Sequence, residues 1–195
     1  MTRPGPHPIE QESYRILRAR YDFSALPPLS RAVAERICHA CADVSLAPTL
    51  ALDEQALEQG RHALRAGAEI VCDARMVAAG ITSRPARVAL DDARVRDRAA
   101  AEGITRSAAA MRLAAAEATA GAVWVVGNAP TALRELVERP PRDPALVIGL
   151  PVGFVGADEA KAALIESGIP CLANRGERGG SALAVAAVNA LLYVP

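Results

Sequence analysis

The 195-residue sequence has no excess of charge of either sign: lysine plus arginine and aspartate plus glutamate number 22 each. A balanced chain has no global field to draw in nucleic acid or an anionic membrane surface. Lysine is almost missing, since 21 of the 22 cations are arginine and Lys161 is the one exception; the bias reads as that of a GC-rich genome. No apolar stretch approaches the roughly 20 residues that a membrane-spanning helix needs. Nor does the N-terminus show a basic region followed by an apolar core. The expectation is a soluble, cytoplasmic protein with no nucleic-acid or membrane partner. The four cysteines, Cys38, Cys41, Cys72 and Cys171, follow no framework spacing, so structural disulfides are not expected. The glycine patterns of dinucleotide-binding turns and phosphate-binding P-loops are absent, which argues against nucleotide chemistry. There is no internal repeat, low-complexity segment or linker.

What is present is a change of pattern along the chain. Hydrophobic residues make up 51%, enough for a substantial core, and the 23% charged fraction argues against disorder. Pro4, Pro6 and Pro8 predict an extended arm over residues 1–12, followed by a first helix over residues 13–20. Pro27-Pro28 leads to Ser30, a good N-cap for a helix reaching Ala42. Asp53 opens another helix, which Gly67 ends. From there short apolar runs, at 69–72, 87–90, 123–126, 145–148 and 169–172, alternate with helical stretches at 74–79, 106–120, 131–138, 158–167 and 180–192. Runs that are apolar throughout, rather than alternating, indicate strands covered on both faces. Strand–helix alternation of this length predicts a largely parallel sheet between helical layers. The expected fold is a three-layer α/β/α sandwich, one domain over residues 1–195.

Ligands of open parallel sheets collect beyond the carboxyl ends of the strands. Three loops rich in glycine and small residues fall there: Gly127-Asn128-Ala129-Pro130-Thr131, residues 149–156, and Gly176-Glu177-Arg178-Gly179-Gly180-Ser181. Glycine lets backbone N–H groups approach a ligand, and a helix start behind it favours anions. Arg175 and Arg178 would add positive charge for a carboxylate or phosphate. Three such loops on one rim suggest a large ligand, although each alone reads equally well as a tight turn.

A second candidate region lies on the helix carrying Arg36-Ile37-Cys38-His39-Ala40-Cys41-Ala42-Asp43. Val33, Ile37 and Cys41 fall on one apolar stripe, and Arg36, His39 and Asp43 on a polar face. A histidine there can donate or accept a proton near neutral pH, though a hydrogen-bonded surface histidine is the commoner case. Cys38 and Cys41 form a Cys-x-x-Cys pair, but no second pair completes a zinc site and no redox context surrounds it. No metal is expected.

Taken together, these segments resemble a known family. His39-Ala40 after Arg36, Cys72-Asp73-Ala74-Arg75-Met76 running on to Gly80-Ile81-Thr82, Thr105-Arg106-Ser107, Gly127-Asn128-Ala129-Pro130-Thr131, Gly149-Leu150-Pro151-Val152-Gly153-Phe154-Val155-Gly156 and Arg178-Gly179-Gly180-Ser181 are similar, in order and spacing, to blocks of the precorrin-8X methylmutases. Each block is moderately specific; six in order are highly specific.

The resemblance implies a homodimeric α/β isomerase of corrin biosynthesis. It would move a methyl group from C-11 to C-12 of precorrin-8X, or of cobalt-precorrin-8, giving hydrogenobyrinic or cobyrinic acid. The shift is intramolecular, so no cofactor or methyl donor is implied. His39 takes the place of the family's proton donor and acceptor, and Ser13 and Arg36 the places of substrate contacts. Thr82, Arg106, Ser107, Asn128, Thr131, Gly180 and Ser181 are expected at the pocket. Two departures stand out: the segment between Thr82 and Arg87 is short and carries Pro85, and Glu177 sits beside Arg178. A corrinoid carrier without catalysis is the alternative; it would need no titratable group beside the ring.

Overall fold

The computed structural model describes residues 7–193. Six strands form one sheet: β1 (Leu50–Leu52), β2 (Ile70–Cys72), β3 (Arg87–Val88), β4 (Val123–Val126), β5 (Leu146–Gly149) and β6 (Cys171–Asn174). Their order is β1-β6-β5-β4-β2-β3. All neighbours are parallel except β1, which runs antiparallel to β6 with Leu50 opposite Asn174. The expectation of a largely parallel sheet between helical layers holds.

Why these runs are strands is visible in their side chains. Val123 and Val125 point into one core with Ile70, Cys72, Leu146 and Ile148, while Trp124 and Val126 point into the other with Val71 and Val147. The period-2 alternation therefore divides one apolar run between two cores. The first core is closed by α1 (Pro8–Arg20), α2 (Pro28–Cys41), α3 (Glu54–Arg65), α4 (Arg75–Gly80) and α9 (Ser181–Tyr193). The second is closed by α5 (Val95–Glu102), α6 (Arg106–Glu117), α7 (Pro130–Glu138) and α8 (Ala157–Glu166).

Several local expectations are corrected. The first helix starts at Pro8, not Ser13; Pro8 is in its first turn, where proline costs nothing, and the His7 side chain accepts the Ile9 N–H. Residues 8–12 are thus helical, while residues 1–6 of the expected arm lie outside the described ones. Ser30 is not an N-cap. It lies inside α2, and the carboxylate of Glu54, at the start of α3, accepts from the Leu29 and Ser30 N–H groups and the Ser30 hydroxyl at 2.6–2.8 Å. One helix start thereby satisfies the orphan donors of another. The short strand β1 and the helix α5 were not foreseen, and the run at 87–90 pairs for only two residues before a 3-10 turn at Ala89–Asp91.

Parallel strands β2, β4, β5 and β6 share one carboxyl edge. The glycine loops emerge there, and α9 begins there. From that edge α9 runs back across the first face and packs on α2, and their contact builds the candidate site.

Candidate active site between the first two helices and the last

His39 lies near the end of α2, half-buried, with its ring stacked on Tyr14 of α1 at 4.6 Å and 5°. The guanidinium of Arg18 lies 5.5 Å from the other ring's centre, over Tyr14. Among the described residues neither imidazole nitrogen has a hydrogen-bond partner. A stack of this kind contributes about 0.5–1.5 kcal/mol and fixes the ring plane without consuming its nitrogens. His39 separates two hollows. One, of about 90 Å³, is lined by Ser13, Ile16, Leu17 and Arg20 of α1 with Cys38 and Ala42. The other, of about 290 Å³, is lined by Glu10 of α1, Arg36 and Ala40 of α2, and Ala182, Val185 and Asn189 of α9. His39 therefore has Ser13 in the hollow on one side and Arg36 in the hollow on the other.

The helix face differs in one respect from expectation. Cys38, not Cys41, continues the buried stripe with Val33, Ala34 and Ile37; Cys41 is exposed and donates to the Ile37 carbonyl at 3.4 Å. Burial pushes the Cys38 and Cys72 thiols up to about 12 and that of Cys171 up to about 11, so none is poised as a thiolate. Among the described residues no three His, Cys, Asp or Glu side chains converge as a metal site. Asp43 is past the helix end, where it accepts from Arg178 at 2.6 Å and from Ser45. The Ser45 hydrogen bonds, helped by the Arg178 charge, hold its carboxyl below the usual range.

The carboxyl edge is a contrast. The buried Asp73, just past β2, accepts the backbone N–H groups of Gly127, Asn128 and Ala129 at 3.1, 2.9 and 2.8 Å. Burial pushes its carboxyl up, and those three N–H bonds oppose the push. A Cβ at Gly127 would meet Ala184 and Ser181 of α9, and one at Gly179 would collide with the carbonyls of Leu150 and Pro151. The Gly180 N–H donates to the Leu150 carbonyl at 2.7 Å, and the Gly176 N–H to Asp158 at 2.6 Å. Lys161, fully buried, donates to Asn174 Oδ1 at 3.1 Å and to the Arg178 carbonyl at 2.7 Å. Burial lowers its pKa to about 8, against the opposing pull of Asp158 and Glu177. Arg178, expected as free rim charge, is occupied by Asp43 and Ser45.

The remaining expected residues form separate groups. The exposed Asn128 and the Gly180–Ser181 pair stand where β4 and α9 meet the edge. Arg106 and Ser107 open α6, joined to Thr131 of α7 through a 2.8 Å bond between the Thr105 and Thr131 hydroxyls. Those helices pack on the opposite face of the sheet from His39. Thr82 lies 3.3 Å from the Tyr193 hydroxyl, about 18 Å along α9 from Ser181 at 1.5 Å per residue. Tyr14, Glu10 and Asp73 were missed as functional candidates. A stacking partner from another helix has no local signature, whereas Asp73 directly after an all-apolar strand was a visible signal.

The doubly covered, largely parallel sheet defines the class, an α/β protein, and it carries a half-buried imidazole beside an arginine. The comparisons narrow it. A model of the family "Precorrin-8X methylmutase" matches residues 8–194. The chain is 43% identical over 194 residues to the precorrin-8X methylmutase of Pseudomonas aeruginosa, covering 94% of this chain and 93% of that one. It is 40% identical over 200 residues to the cobalt-precorrin-8 methylmutase of Salmonella typhimurium, covering 96% and 95%. The solved precorrin-8X methyl mutase of Thermus thermophilus superposes with a TM-score of 0.84 at 39% identity, covering 95% of this chain and 96% of that one. The chain belongs to the precorrin-8X methylmutase family of cobalamin biosynthesis and is an isomerase.

Proposed function

We propose that this protein, acting as a single unit over its whole length, moves the methyl group from C-11 to C-12 of precorrin-8X or cobalt-precorrin-8, with His39 as proton donor and acceptor. The observation that carries the reading is the His39 imidazole: stacked, half-buried, unbonded at both nitrogens among the described residues, and open to two hollows. A methyl shift within one conjugated ring needs no nucleophile and no electron carrier. It needs a proton placed on the ring to polarise it and then returned, and a wall that keeps the migrating carbon near its destination. The stack on Tyr14 holds the imidazole plane, Arg36 meets a side-chain carboxylate of the macrocycle, and Ser13 offers a hydroxyl one hollow away. Asn128, Thr131, Thr82, Gly180 and Ser181 serve the rim in this reading.

We further propose a homodimer. Arg106 and Ser107 start a helix that one chain keeps across the sheet from His39. A second copy is the simplest way for that helix start to reach the same macrocycle. Incubation with precorrin-8X and with cobalt-precorrin-8, followed by absorbance and mass, tests the reaction. The isomerase changes the spectrum at unaltered mass; a carrier without catalysis binds and leaves the substrate's spectrum that of precorrin-8X after release.

A further inference from the structure

Among the described residues two ion pairs join α1 to α2, and they are built differently. Arg18 grips Glu35 with two bonds at 3.0 and 2.7 Å, and Glu35 is buried and also held by Arg31 at 3.0 Å. That fork is a structural bond between the helices. The second pair is one contact, Arg36 Nη1 to Glu10 Oε1, at 3.4 Å, with both side chains still more than a quarter exposed. Arg36 has no other partner among the described residues. This pair lies in the hollow that holds His39, and Glu10, Arg36 and His39 are the titratable groups lining it.

We propose that Glu10 is a built-in stand-in for substrate: its carboxylate occupies Arg36 in the empty protein and is exchanged for a carboxylate of the incoming macrocycle. The inference rests on the reading that Arg36 binds a substrate carboxylate. The hollow, at about 290 Å³, is too small for a whole tetrapyrrole and has room for one of its acetate or propionate arms. Arg36 is therefore presented with the same chemistry, a carboxylate on a short aliphatic stem, whether the site is empty or filled. The pair is weak enough to exchange, being single, long and partly wet. Glu10 also has somewhere to go, because it sits in the first turn of α1, where the helix dipole favours an acid. The Arg18–Glu35 fork keeps α1 on α2 during the exchange. The consequence is selectivity: a ligand without a well-placed carboxylate cannot displace Glu10, and the resting contact stops Arg36 from swinging into the space beside His39.

The test is a double-mutant cycle read by absorbance titration with hydrogenobyrinic acid on the parent, Glu10→Gln, Arg36→Gln and the double variant. Removing the competitor should tighten binding about two- to fivefold in Glu10→Gln, the range an exposed ion pair contributes. Arg36→Gln should weaken binding, and on that background Glu10→Gln should have no further effect. Unchanged or weaker binding by Glu10→Gln, with Arg36→Gln still impaired, would overturn the stand-in while leaving the functional reading intact. Parent-like binding by Arg36→Gln, or no binding by any form, would remove that reading as well. If Glu10→Gln folds poorly by thermal unfolding, Glu10→Asp replaces it: the shorter stem should loosen the pair and give a gain of the same sign.

Discussion

The hollow at the first two helices and the glycine-rich edge of the sheet were both candidates for ligand binding, and the structure treats them in opposite ways. At the edge the buried polar groups are already engaged: Asp73 accepts three N–H groups, Lys161 and Asn174 donate to the Arg178 carbonyl, and Arg178 itself is tied to Asp43. In the hollow, among the described residues, the imidazole has no hydrogen bond and the arginine has one long contact. Glycine at the edge answers crowding at Gly127, Gly149 and Gly179, the last against the Leu150 and Pro151 carbonyls, and a positive φ at Gly153, Gly156, Gly176 and Gly180. A glycine-rich loop and an anion-binding loop look alike in sequence, and only the fate of the N–H groups separates them. The edge is the scaffold that aims α9; the hollow is where proton chemistry is available.

The sharpest way to break this division is His39→Ala. Losing a positioned acid–base group costs about 10²–10⁴-fold in rate. Because the ring is half-buried and unbonded, the variant should keep its fold, and its affinity for hydrogenobyrinic acid should stay near the parent's. Turnover and product binding measured side by side decide it. A folded His39→Ala protein with parental turnover would leave the hollow without its chemistry.

The edge should fail in a different currency. Asp73→Ala would strand three N–H groups, one buried and two part-buried, at about 1–3 kcal/mol for each that is left unsatisfied. A loss of at least about 3 kcal/mol in urea unfolding is expected, with turnover per folded molecule reduced far less than in His39→Ala. Should Asp73→Ala instead keep its stability and lose turnover, the edge is chemistry after all.

Much of this architecture was legible in advance, for a physical reason. Strands buried on both faces must be apolar throughout, so the runs at β2, β4 and β5 stand out against any helix. β1 does not, because its three residues are half-buried and pair on one side only. The start of α1 was hidden by its prolines: Pro8 reads as an extended arm, yet the same ring suits the first turn of a helix. In the hollow, Arg36 and His39 were recoverable from helical spacing. Tyr14 and Glu10 were not, since nothing along the chain says that α1 lies across α2. The opposite placement of Arg106 and His39 likewise follows from topology alone.

Lys161 offers a pH test of the edge. The folded chain releases this proton near pH 8, whereas an unfolded lysine keeps it to about 10.4. Between those values the unfolded state binds more protons, so this group makes stability rise with pH. The parent should gain up to about 3 kcal/mol relative to Lys161→Met between pH 7 and 10, a gap read from urea unfolding at each pH. A stability difference that stays flat over that range would mean that the buried ammonium is not penalised, and that the edge is looser than its geometry indicates.

The smallest effect is expected at Cys41, and it separates the two cysteines of the Cys-x-x-Cys pair. Cys41 is exposed, and its bonds among the described residues run to backbone carbonyls of its own turn and of Asp43. A serine hydroxyl can donate to the same Ile37 carbonyl from the same position, so Cys41→Ser should change stability by no more than about 0.5 kcal/mol. Turnover should stay within about twofold, because the thiol faces neither hollow. Cys38 is the internal control: it is fully buried and directly precedes His39, and serine there places a hydroxyl in an apolar core at a cost of about 1–3 kcal/mol. Both variants are compared by thermal unfolding and by turnover at equal folded concentration. If the pair served redox or metal chemistry, the two substitutions would abolish function together; if it is only packing, Cys38→Ser lowers the melting temperature and Cys41→Ser leaves it where it was.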